Sequence, residues 1–153
     1  MPNTYTQIHI QSVIVVQNRD CVISNSWKDQ LYKYIATIIQ NNGHKVIIIN
    51  GMPDHVHLLF GLRPHQSLST LMQQIKQDTS KWINKNRTPF NKFSWQKGYA
   101  SFSYSKSQLP RVINYIKNQE QHHHKKSFFD EYLALLKVHG IDYNEKYLFK
   151  KVL

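Results

Sequence analysis

Apolar residues follow two different spacings along this chain, and the spacing predicts where strands and helices lie. Alternating or continuous apolar residues that favour strands occur at 5–16, 45–50, 55–61 and, more weakly, 98–105. Apolar residues three to four positions apart, which indicate helices with one buried face, occur at 26–40, 67–83, 108–123 and 128–138. Ser26, Ser67 and Ser107 are the predicted N-caps of the first three helices.

The order of these elements predicts the fold. Strand, helix, strand, strand, helix, strand is the order of a ferredoxin-like (RRM-like) split βαβ fold of the α+β class, with helices on one face of an antiparallel sheet. Two C-terminal helices follow. No repeat or linker interrupts the sequence, so residues 1–153 are predicted to form one domain. Its parts are a core at about 5–106, a helix at about 108–123, and a C-terminal helix and tail at 127–153.

Two histidines on the third predicted strand are the first candidate functional residues. His55 and His57 are separated by Val56 and follow a predicted turn at 51–54. Side chains alternate along a strand, so both imidazoles point to the same face. Two imidazoles on one face form half of a metal site, and further ligands must come from elsewhere in the chain.

The third predicted helix carries a candidate partner for these histidines. Its apolar stripe consists of Leu109, Val112, Ile113 and Ile116. Tyr115 lies off that stripe, roughly 110° from its centre. Gln119 lies one turn further along the same polar flank. A tyrosine in this position is expected to have its hydroxyl available.

These residue types together suit phosphodiester chemistry. A tyrosine hydroxyl can attack a phosphodiester, although its pKa of about 10 makes it a weak nucleophile unless the phosphate is polarised. A divalent metal polarises phosphate oxygens. The side-chain oxygen of Gln119 is the predicted third ligand beside His55 and His57. This ligand set suits Mg²⁺ or Mn²⁺, whereas zinc more often recruits a third histidine or a carboxylate.

The charge of the chain points to a polyanionic partner. The formal net charge is +11, which favours nucleic acid. The predicted DNA-binding residues are Lys76, Lys81, Lys85, Arg87, Lys92, Lys97 and Arg111. The aromatic residues between them, which can stack on unpaired bases if exposed, are Trp82, Phe90, Phe93, Trp95 and Tyr99. The alternative is an ordinary solvated basic face whose aromatic residues belong to the core.

The composition excludes other classes of protein. No apolar run reaches the roughly 18 residues of a membrane span, and the first residues do not follow the pattern of a secretion signal. The single cysteine, Cys21, excludes an internal disulfide framework and fits a reducing cytoplasm. The sequence offers no base beside Cys21, so a small core or loop residue is expected there.

The sequence around the candidate residues resembles a known family. The runs that carry the resemblance are 52–59 (Met-Pro-Asp-His-Val-His-Leu-Leu), 95–99 (Trp-Gln-Lys-Gly-Tyr) and 115–119 (Tyr-Ile-Lys-Asn-Gln). In order and spacing they resemble the single-tyrosine HUH transposases, which are the transposases of the smallest bacterial and archaeal insertion sequences. The resemblance covers most of residues 5–123.

The resemblance implies a specific activity. Such enzymes excise and reinsert single-stranded DNA whose ends are marked by hairpins. It implies that Tyr115 attacks the phosphate and forms a 5′-phosphotyrosine, and that His55, His57 and Gln119 hold the divalent metal. It also implies a cytoplasmic homodimer with no membrane partner. In many members the tyrosine helix of one subunit completes the metal site of the other.

Two features depart from the family. Residues 100–103 read Ala-Ser-Phe-Ser where the family often has Gly-Ala-Phe-Ser. The run His122–His124 directly after the tyrosine helix is unusually rich in histidine, and we expect it to be a solvated helix end, where histidine suits the helix dipole.

Three other functions share part of this pattern. A domesticated relative that processes repetitive palindromic DNA would share the chemistry and differ in substrate. A non-catalytic single-stranded nucleic-acid-binding module would explain the charge but leave the paired histidines and the Tyr115–Gln119 pair as accidents. A two-histidine phosphodiesterase is disfavoured, because it needs two separate His-x-Ser/Thr motifs and the chain does not contain two.

Overall fold

The computed structural model describes residues 3–18, 22–87, 92–123 and 126–150. The strands are β1 (His9–Val15), β2 (Lys45–Met52), β3 (His55–Gly61) and β4 (Ala100–Tyr104). The helices are α1 (Lys28–Asn41), α2 (Leu68–Asn86), α3 (Leu109–Lys117), α4 (Gln119–His123) and α5 (Phe128–Val138). Cys21, Phe90 and His124 lie outside the described ranges, so the expectations for them stay predictions. Within those ranges, no helix is both long and apolar enough to span a bilayer.

The four strands form one antiparallel sheet in the order β2-β3-β1-β4. This arrangement confirms the predicted ferredoxin-like fold. β3 lies between β2 and β1, with His57 opposite Val13 and His55 opposite Val15. The two histidines therefore lie in the interior of the sheet, where neighbouring strands on both sides fix their backbone.

The two faces of the sheet are covered by different helices. Val56 and Leu58 of β3 face the core that α1 and α2 cover. Leu59 faces the other way and packs against Ile116 of α3. Phe128 of α5 packs on that same face. Because strand side chains alternate, the C-terminal helices cover the face that carries both histidines.

The hairpin that presents His55 depends on a glycine. Gly51 of β2 pairs with Val56 of β3. A Cβ at Gly51 would lie 2.8 Å from the Cα of Val56 and would overlap the carbonyl oxygen of His55. Both obstacles are backbone atoms and cannot rotate away. Glycine at position 51 therefore allows β2 to approach the start of β3. The turn between these strands places Asp54 beside His55.

The third helix starts later than the sequence predicts. A capping role was expected for Ser107. Instead, Ser105 and Gln108 form a reciprocal capping box around a single 3-10 turn, and α3 begins at Leu109. The hydroxyl of Ser107 bonds the hydroxyl of Ser105. The prediction of Ser107 as the N-cap is wrong because an equivalent serine two residues earlier makes the backbone contacts.

The same helix is also interrupted, whereas one continuous helix at 108–123 was predicted. Asn118 separates α3 from α4. The side-chain amide of Asn50 on β2 donates to the carbonyl oxygens of Ile116 and Lys117 at 3.0 and 3.3 Å. These carbonyls thus have a partner outside the helix. The break follows from a contact with a distant strand, which the local pattern cannot reveal.

The predicted N-cap of α2 is confirmed, whereas the predicted N-cap of α1 is wrong. Ser67 accepts a hydrogen bond from the backbone of Thr70, as predicted for the start of α2. Ser26 does not cap α1, because its hydroxyl bonds Ser24 and the helix begins after Trp27 without a side-chain cap. The bounds of α5 agree with the prediction.

Candidate active site

Buried hydrogen bonds fix the orientation of both strand histidines. His55 and His57 are fully buried, and their rings lie 5.1 Å apart in a T-shaped arrangement. Nδ1 of His55 donates to Asp54 at 2.6 Å, and Nδ1 of His57 donates to Oε1 of Gln11 at 2.8 Å. Gln11 is held in turn by the hydroxyl of Tyr104, at 2.7 Å. Because each Nδ1 is engaged, the Nε2 atoms face the C-terminal helices.

A carboxylate that sequence reasoning missed lies beside both Nε2 atoms. Glu131 of α5 is 4% exposed. Its Oε1 lies 3.2 Å from Nε2 of His57 and 3.5 Å from Nε2 of His55. One donor atom from each of the three residues lies within 4.8 Å of the others, a spacing that suits a metal ion.

Gln119, the predicted third ligand, joins the same cluster. Its side chain is fully buried. Its Oε1 lies 2.9 Å from Nε2 of His55, and its Nε2 donates to Oε2 of Glu131 at 3.0 Å. The break at Asn118 precedes this inward-facing position. Gln119 therefore offers an oxygen to the site and also holds the carboxylate in place.

Tyr115 reaches this cluster within its own chain. Its hydroxyl donates a short hydrogen bond to Oε2 of Glu131. Its ring lies 5.9 Å from that of His57, edge to face. Burial, followed by the negative charge of Glu131, raises the pKa of Tyr115 above its usual value. The hydroxyl is thus half-buried and engaged, whereas the sequence suggested a free hydroxyl on a polar flank.

Of the two described histidines in the run after Tyr115, His123 is not part of the solvated helix end that was expected. The side chain of His123 is 9% exposed, and its Nε2 lies 3.4 Å from Oε1 of Glu131. The ring of His123 lies 4.8 Å from that of His55. His122 is exposed, but its ring lies 4.8 Å from that of Tyr115. The expectation is wrong for His123 because α4 turns back toward the sheet.

Opposing charges in the cluster shift its pKa values. Burial alone would raise the pKa of Glu131, but the neighbouring imidazoles of His123, His55 and His57 hold it well below the usual range. Burial alone would lower the pKa of His55, but its bonds to Asp54 and Glu131 raise it to about 9. Burial lowers the pKa of His57. The carboxylate is therefore ionised and the two imidazoles differ in charge.

The donor set fits a divalent cation. A neutral imidazole that donates from Nδ1 has only a lone pair at Nε2. When both imidazoles are neutral, their Nε2 lone pairs face Oε1 of Glu131, and that of His55 also faces Oε1 of Gln119, so hydrogen-bond acceptors face one another. A proton on Nε2 of His55 gives some of these acceptor atoms a partner, whereas a bound cation gives all of them one. Two nitrogens with carboxylate and amide oxygens suit Mn²⁺ or Mg²⁺.

Comparison with known proteins places this chain in a family. The family of IS200-like transposases matches residues 4–119, which include β3 and Tyr115. The chain belongs to the IS200-like transposases. The resemblance found from the sequence is thereby confirmed.

Individual relatives agree with this family. The ISDra2 transposase TnpA of Deinococcus radiodurans is 24% identical over 118 residues, which cover 74% of this chain and 84% of that protein. A Deinococcus radiodurans crystal structure described as a transposase has a TM-score of 0.59 at 20% identity, covering 76% of this chain and 94% of that one. A REP-associated tyrosine transposase bound to a REP hairpin has a TM-score of 0.61 at 14% identity, covering 79% and 72%. At these identities the two structures support the fold.

The basic residues of the transposase lie mainly away from the cluster. Lys81 and Lys85 are exposed on α2, which covers the opposite face of the sheet. Arg87, at the end of α2, lies over the ring of Trp82 at 5.4 Å. Arg111 is exposed on α3, on the same side as Tyr115. Among the predicted DNA-binding residues of the helices, Arg111 is therefore the one beside the candidate active site.

The remaining three predicted DNA-binding lysines differ in their surroundings. Lys92 and Lys97 are exposed in the segment between α2 and β4. Lys76 instead spans two elements, because its ammonium donates to the carbonyl oxygens of Gln96 and Gly98 at 2.8 and 2.7 Å. Burial also lowers the pKa of Lys76. Lys76 thus braces α2 against the segment that leads into β4.

The aromatic residues of the basic segment serve mostly in the core. Phe93 is 1% and Trp95 8% exposed, so these two follow the alternative in which the aromatic residues belong to the core. Trp82 packs with Tyr34, and Tyr99 packs at the margin of the same core. Sequence could not separate the two alternatives, because a basic segment that wraps over a core contains the same residues as a stacking surface.

One signal in the sequence could have revealed Glu131. It lies three residues after Phe128 and one before Tyr132, on the stripe that α5 buries. A carboxylate on an apolar stripe is unusual, because a buried carboxylate needs a partner. That pattern marks Glu131 as a residue paired inside the fold, although it does not identify the partners.

Proposed function

We propose that this transposase cleaves and rejoins single-stranded DNA at transposon ends through a covalent 5′-phosphotyrosine on Tyr115. The observation that carries the proposal is the convergence of the Tyr115 hydroxyl, the imidazoles of His55 and His57, and the carboxylate of Glu131 in one buried cluster. A nucleophile beside a candidate metal site, in a member of a transposase family, supports strand cleavage more directly than binding alone.

His55 and His57 would hold a divalent metal, with oxygens supplied by Glu131 and Gln119. Bound there, Mg²⁺ or Mn²⁺ would polarise the scissile phosphate and offset the charge of Glu131. The protein itself orients the donors, since Asp54 and Gln11 fix the two imidazoles. Glu131 and Gln119 hold each other through the amide of Gln119.

The chemical step conserves the phosphodiester energy. The Oη of Tyr115 bonds to phosphorus as the bond to the 3′-oxygen breaks, and the displaced 3′-oxygen takes up a proton as a 3′-hydroxyl. The phenolic proton of Tyr115 already points at Oε2 of Glu131, which is positioned to receive it. Rejoining reverses these transfers, so the reaction needs no nucleotide cofactor.

DNA recognition is proposed to use hairpins at the transposon ends. The net charge of +11 supports binding to a polyanion, and a structural relative is bound to a REP hairpin. Exposed Lys81, Lys85 and Lys97 lie outside the buried cluster, where they can hold a folded DNA segment while its single strand reaches Tyr115. In the alternative function, that of a domesticated relative, the substrate is repetitive palindromic DNA.

The transposase is proposed to act as a homodimer whose Tyr115 serves the metal site of its own subunit. The hydrogen bond between Tyr115 and Glu131 within one chain supports this arrangement. An equal mixture of His55→Ala and Tyr115→Phe proteins should then stay inactive. Restored cleavage in the mixture would show that Tyr115 acts in the other subunit.

Detection of a covalent adduct tests the proposed function. The substrate is a labelled single strand carrying the DNA that flanks the coding region, incubated with Mn²⁺ and resolved on a denaturing gel. The wild type should form a protein–DNA adduct, and Tyr115→Phe should bind the strand without forming one. Tyr143→Phe is the matched control, since Tyr143 is 50% exposed and lies outside the cluster. An adduct formed by Tyr115→Phe would disprove the assignment of Tyr115 as the nucleophile. A parallel assay with strands that carry palindromic repeats would show whether the alternative substrate is cleaved.

A further inference from the structure

A cavity of about 910 Å³ opens beside Tyr115, between α3 and α5. Its wall on α3 includes Val112 and Tyr115, and its wall on α5 includes Ala134 and Leu135. Tyr115 thus borders the metal cluster on one side and this cavity on the other. An occupant of the cavity would lie next to the phosphate that Tyr115 is proposed to attack.

The inner wall of the cavity offers a fixed aromatic surface. The rings of Tyr104 and His139 line it and lie 5.3 Å apart, edge to face. Nδ1 of His139 bonds the carbonyl oxygen of Leu135 at 2.9 Å, and its ring stacks on Phe102 at 4.5 Å. Tyr104 is held by its bond to Gln11. Flat, immobilised rings between aliphatic walls suit a planar ring as the occupant.

The rim of the cavity carries positive charge. Arg111 and Lys126 line it, and both are exposed. Among the described residues that line the cavity, Glu131 is the acid, and its carboxylate is engaged in the cluster. A planar apolar interior with a cationic rim complements a nucleobase attached to a phosphodiester backbone.

We propose that this cavity holds one unpaired nucleobase of the DNA strand, adjacent to the phosphate that Tyr115 attacks. The base would stack against Tyr104 and His139 while Arg111 and Lys126 contact the flanking phosphates. A paired base is stacked inside a duplex and cannot enter such a cavity, so the cavity selects single-stranded DNA. The inference rests on the proposed function for its placement beside the reacting phosphate.

The test compares two probes of equal charge. Fluorescein-labelled oligothymidylate of twelve nucleotides is measured against a twelve-unit abasic strand by fluorescence anisotropy. One stacked base should make the wild type prefer the base-containing strand by at least about fivefold. Ala134→Trp fills the cavity and should bring this ratio close to one. Lys137→Trp, on the exposed side of α5, should keep it.

A second measurement uses the wild type alone, so that it does not depend on the folding of a variant. A single 2-aminopurine is placed at successive positions of the oligothymidylate, and its fluorescence is read on binding. Quenching confined to one or two positions supports the cavity, whereas equal fluorescence at every position overturns it. A binding ratio near one in the wild type also overturns the proposal. So does an Ala134→Trp protein that keeps the wild-type ratio, even if light scattering shows a changed oligomeric state.

These outcomes separate the two proposals. If the Tyr115 adduct forms but the base preference is absent, the proposed cleavage stands and the base site fails. If the base preference responds to Ala134→Trp but no Tyr115 adduct forms, the base site stands and the proposed cleavage fails. Arg111→Ala should weaken binding of both probes equally, because its predicted contact is with phosphate.

Discussion

Replacement of Glu131 by glutamine tests whether the carboxylate of α5 is a ligand of the proposed metal. The variant keeps the shape of the side chain and removes one negative charge. Oε1 of Glu131 lies 3.2 Å from His57, 3.5 Å from His55 and 3.4 Å from His123, and the residue is 4% exposed. Hydrogen bonds to charged groups contribute about 1.5–3 kcal/mol each. We therefore expect metal-free Glu131→Gln to lose about 3 kcal/mol of unfolding free energy in urea titrations with EDTA.

The same variant should bind Mn²⁺ more weakly. Loss of the carboxylate should lower the affinity at least about tenfold, measured by titration calorimetry. That loss reduces the stabilisation given by saturating Mn²⁺ by about 1.4 kcal/mol. Asp130→Asn is the matched control, because it makes the same charge change at an exposed neighbour on α5 and should leave the affinity within about twofold.

Gln119→Leu distinguishes the carboxylate from the ligand that the sequence predicted. Oε1 of Gln119 lies 2.9 Å from Nε2 of His55, so it is also placed to bind a metal. If Gln119→Leu lowers the Mn²⁺ affinity more than Glu131→Gln does, the amide is the third ligand. The reasoning from the position of the Glu131 carboxylate would then be refuted.

Three further predictions concern the surroundings of the proposed metal ligands. In EDTA, the unfolding free energy should fall by about 3 kcal/mol as pH rises from about 6.5 to about 9, because folded His55, with its pKa raised to about 9, holds a proton that the unfolded chain releases. Chemical denaturation of His55→Asn should show a flatter dependence of the unfolding free energy on pH. An equally steep dependence in that variant would contradict the assignment to His55. Gly51→Ala should cost about 2 kcal/mol in calorimetry through its backbone clash, whereas Gly61→Ala, whose Cβ meets nothing closer than 3.6 Å, should be near neutral. His123→Ala should weaken Mn²⁺ binding severalfold and His122→Ala should not, because of these two histidines only His123 contacts the carboxylate of Glu131. Equal effects of the two variants would argue against that contact.

The sequence was sufficient for features that depend on local periodicity. The alternation around His55 and His57 predicts that they share a face, and both imidazoles do lie on the face opposite to the α1–α2 core. The apolar stripe of α3 predicts which side of that helix is buried, and Val112 and Ile116 are buried as expected. These properties follow from the geometry of one strand or one helix.

Features set by contacts between distant segments could not be predicted in the same way. The break before Gln119 depends on Asn50, which lies on another strand. The role of Glu131 depends on α5 folding back over the sheet to meet His57. Asn50 looks ordinary on its own strand, and the burial of Glu131 indicates a partner without identifying it. In both cases the function arises from the partner that the fold brings to the residue.

The boundary of the family match divides the candidate active site into two parts. The match ends at residue 119, so it contains His55, His57, Tyr115 and Gln119 but not α5. α5 supplies Glu131 to the cluster and also forms a wall of the cavity beside Tyr115. If the cavity holds a base as proposed, a change on α5 can alter the bases that it accepts while leaving the strand histidines and the tyrosine in place. This arrangement allows the specificity of strand cleavage to vary without rebuilding its chemistry, provided that Glu131 keeps its contact with the two imidazoles.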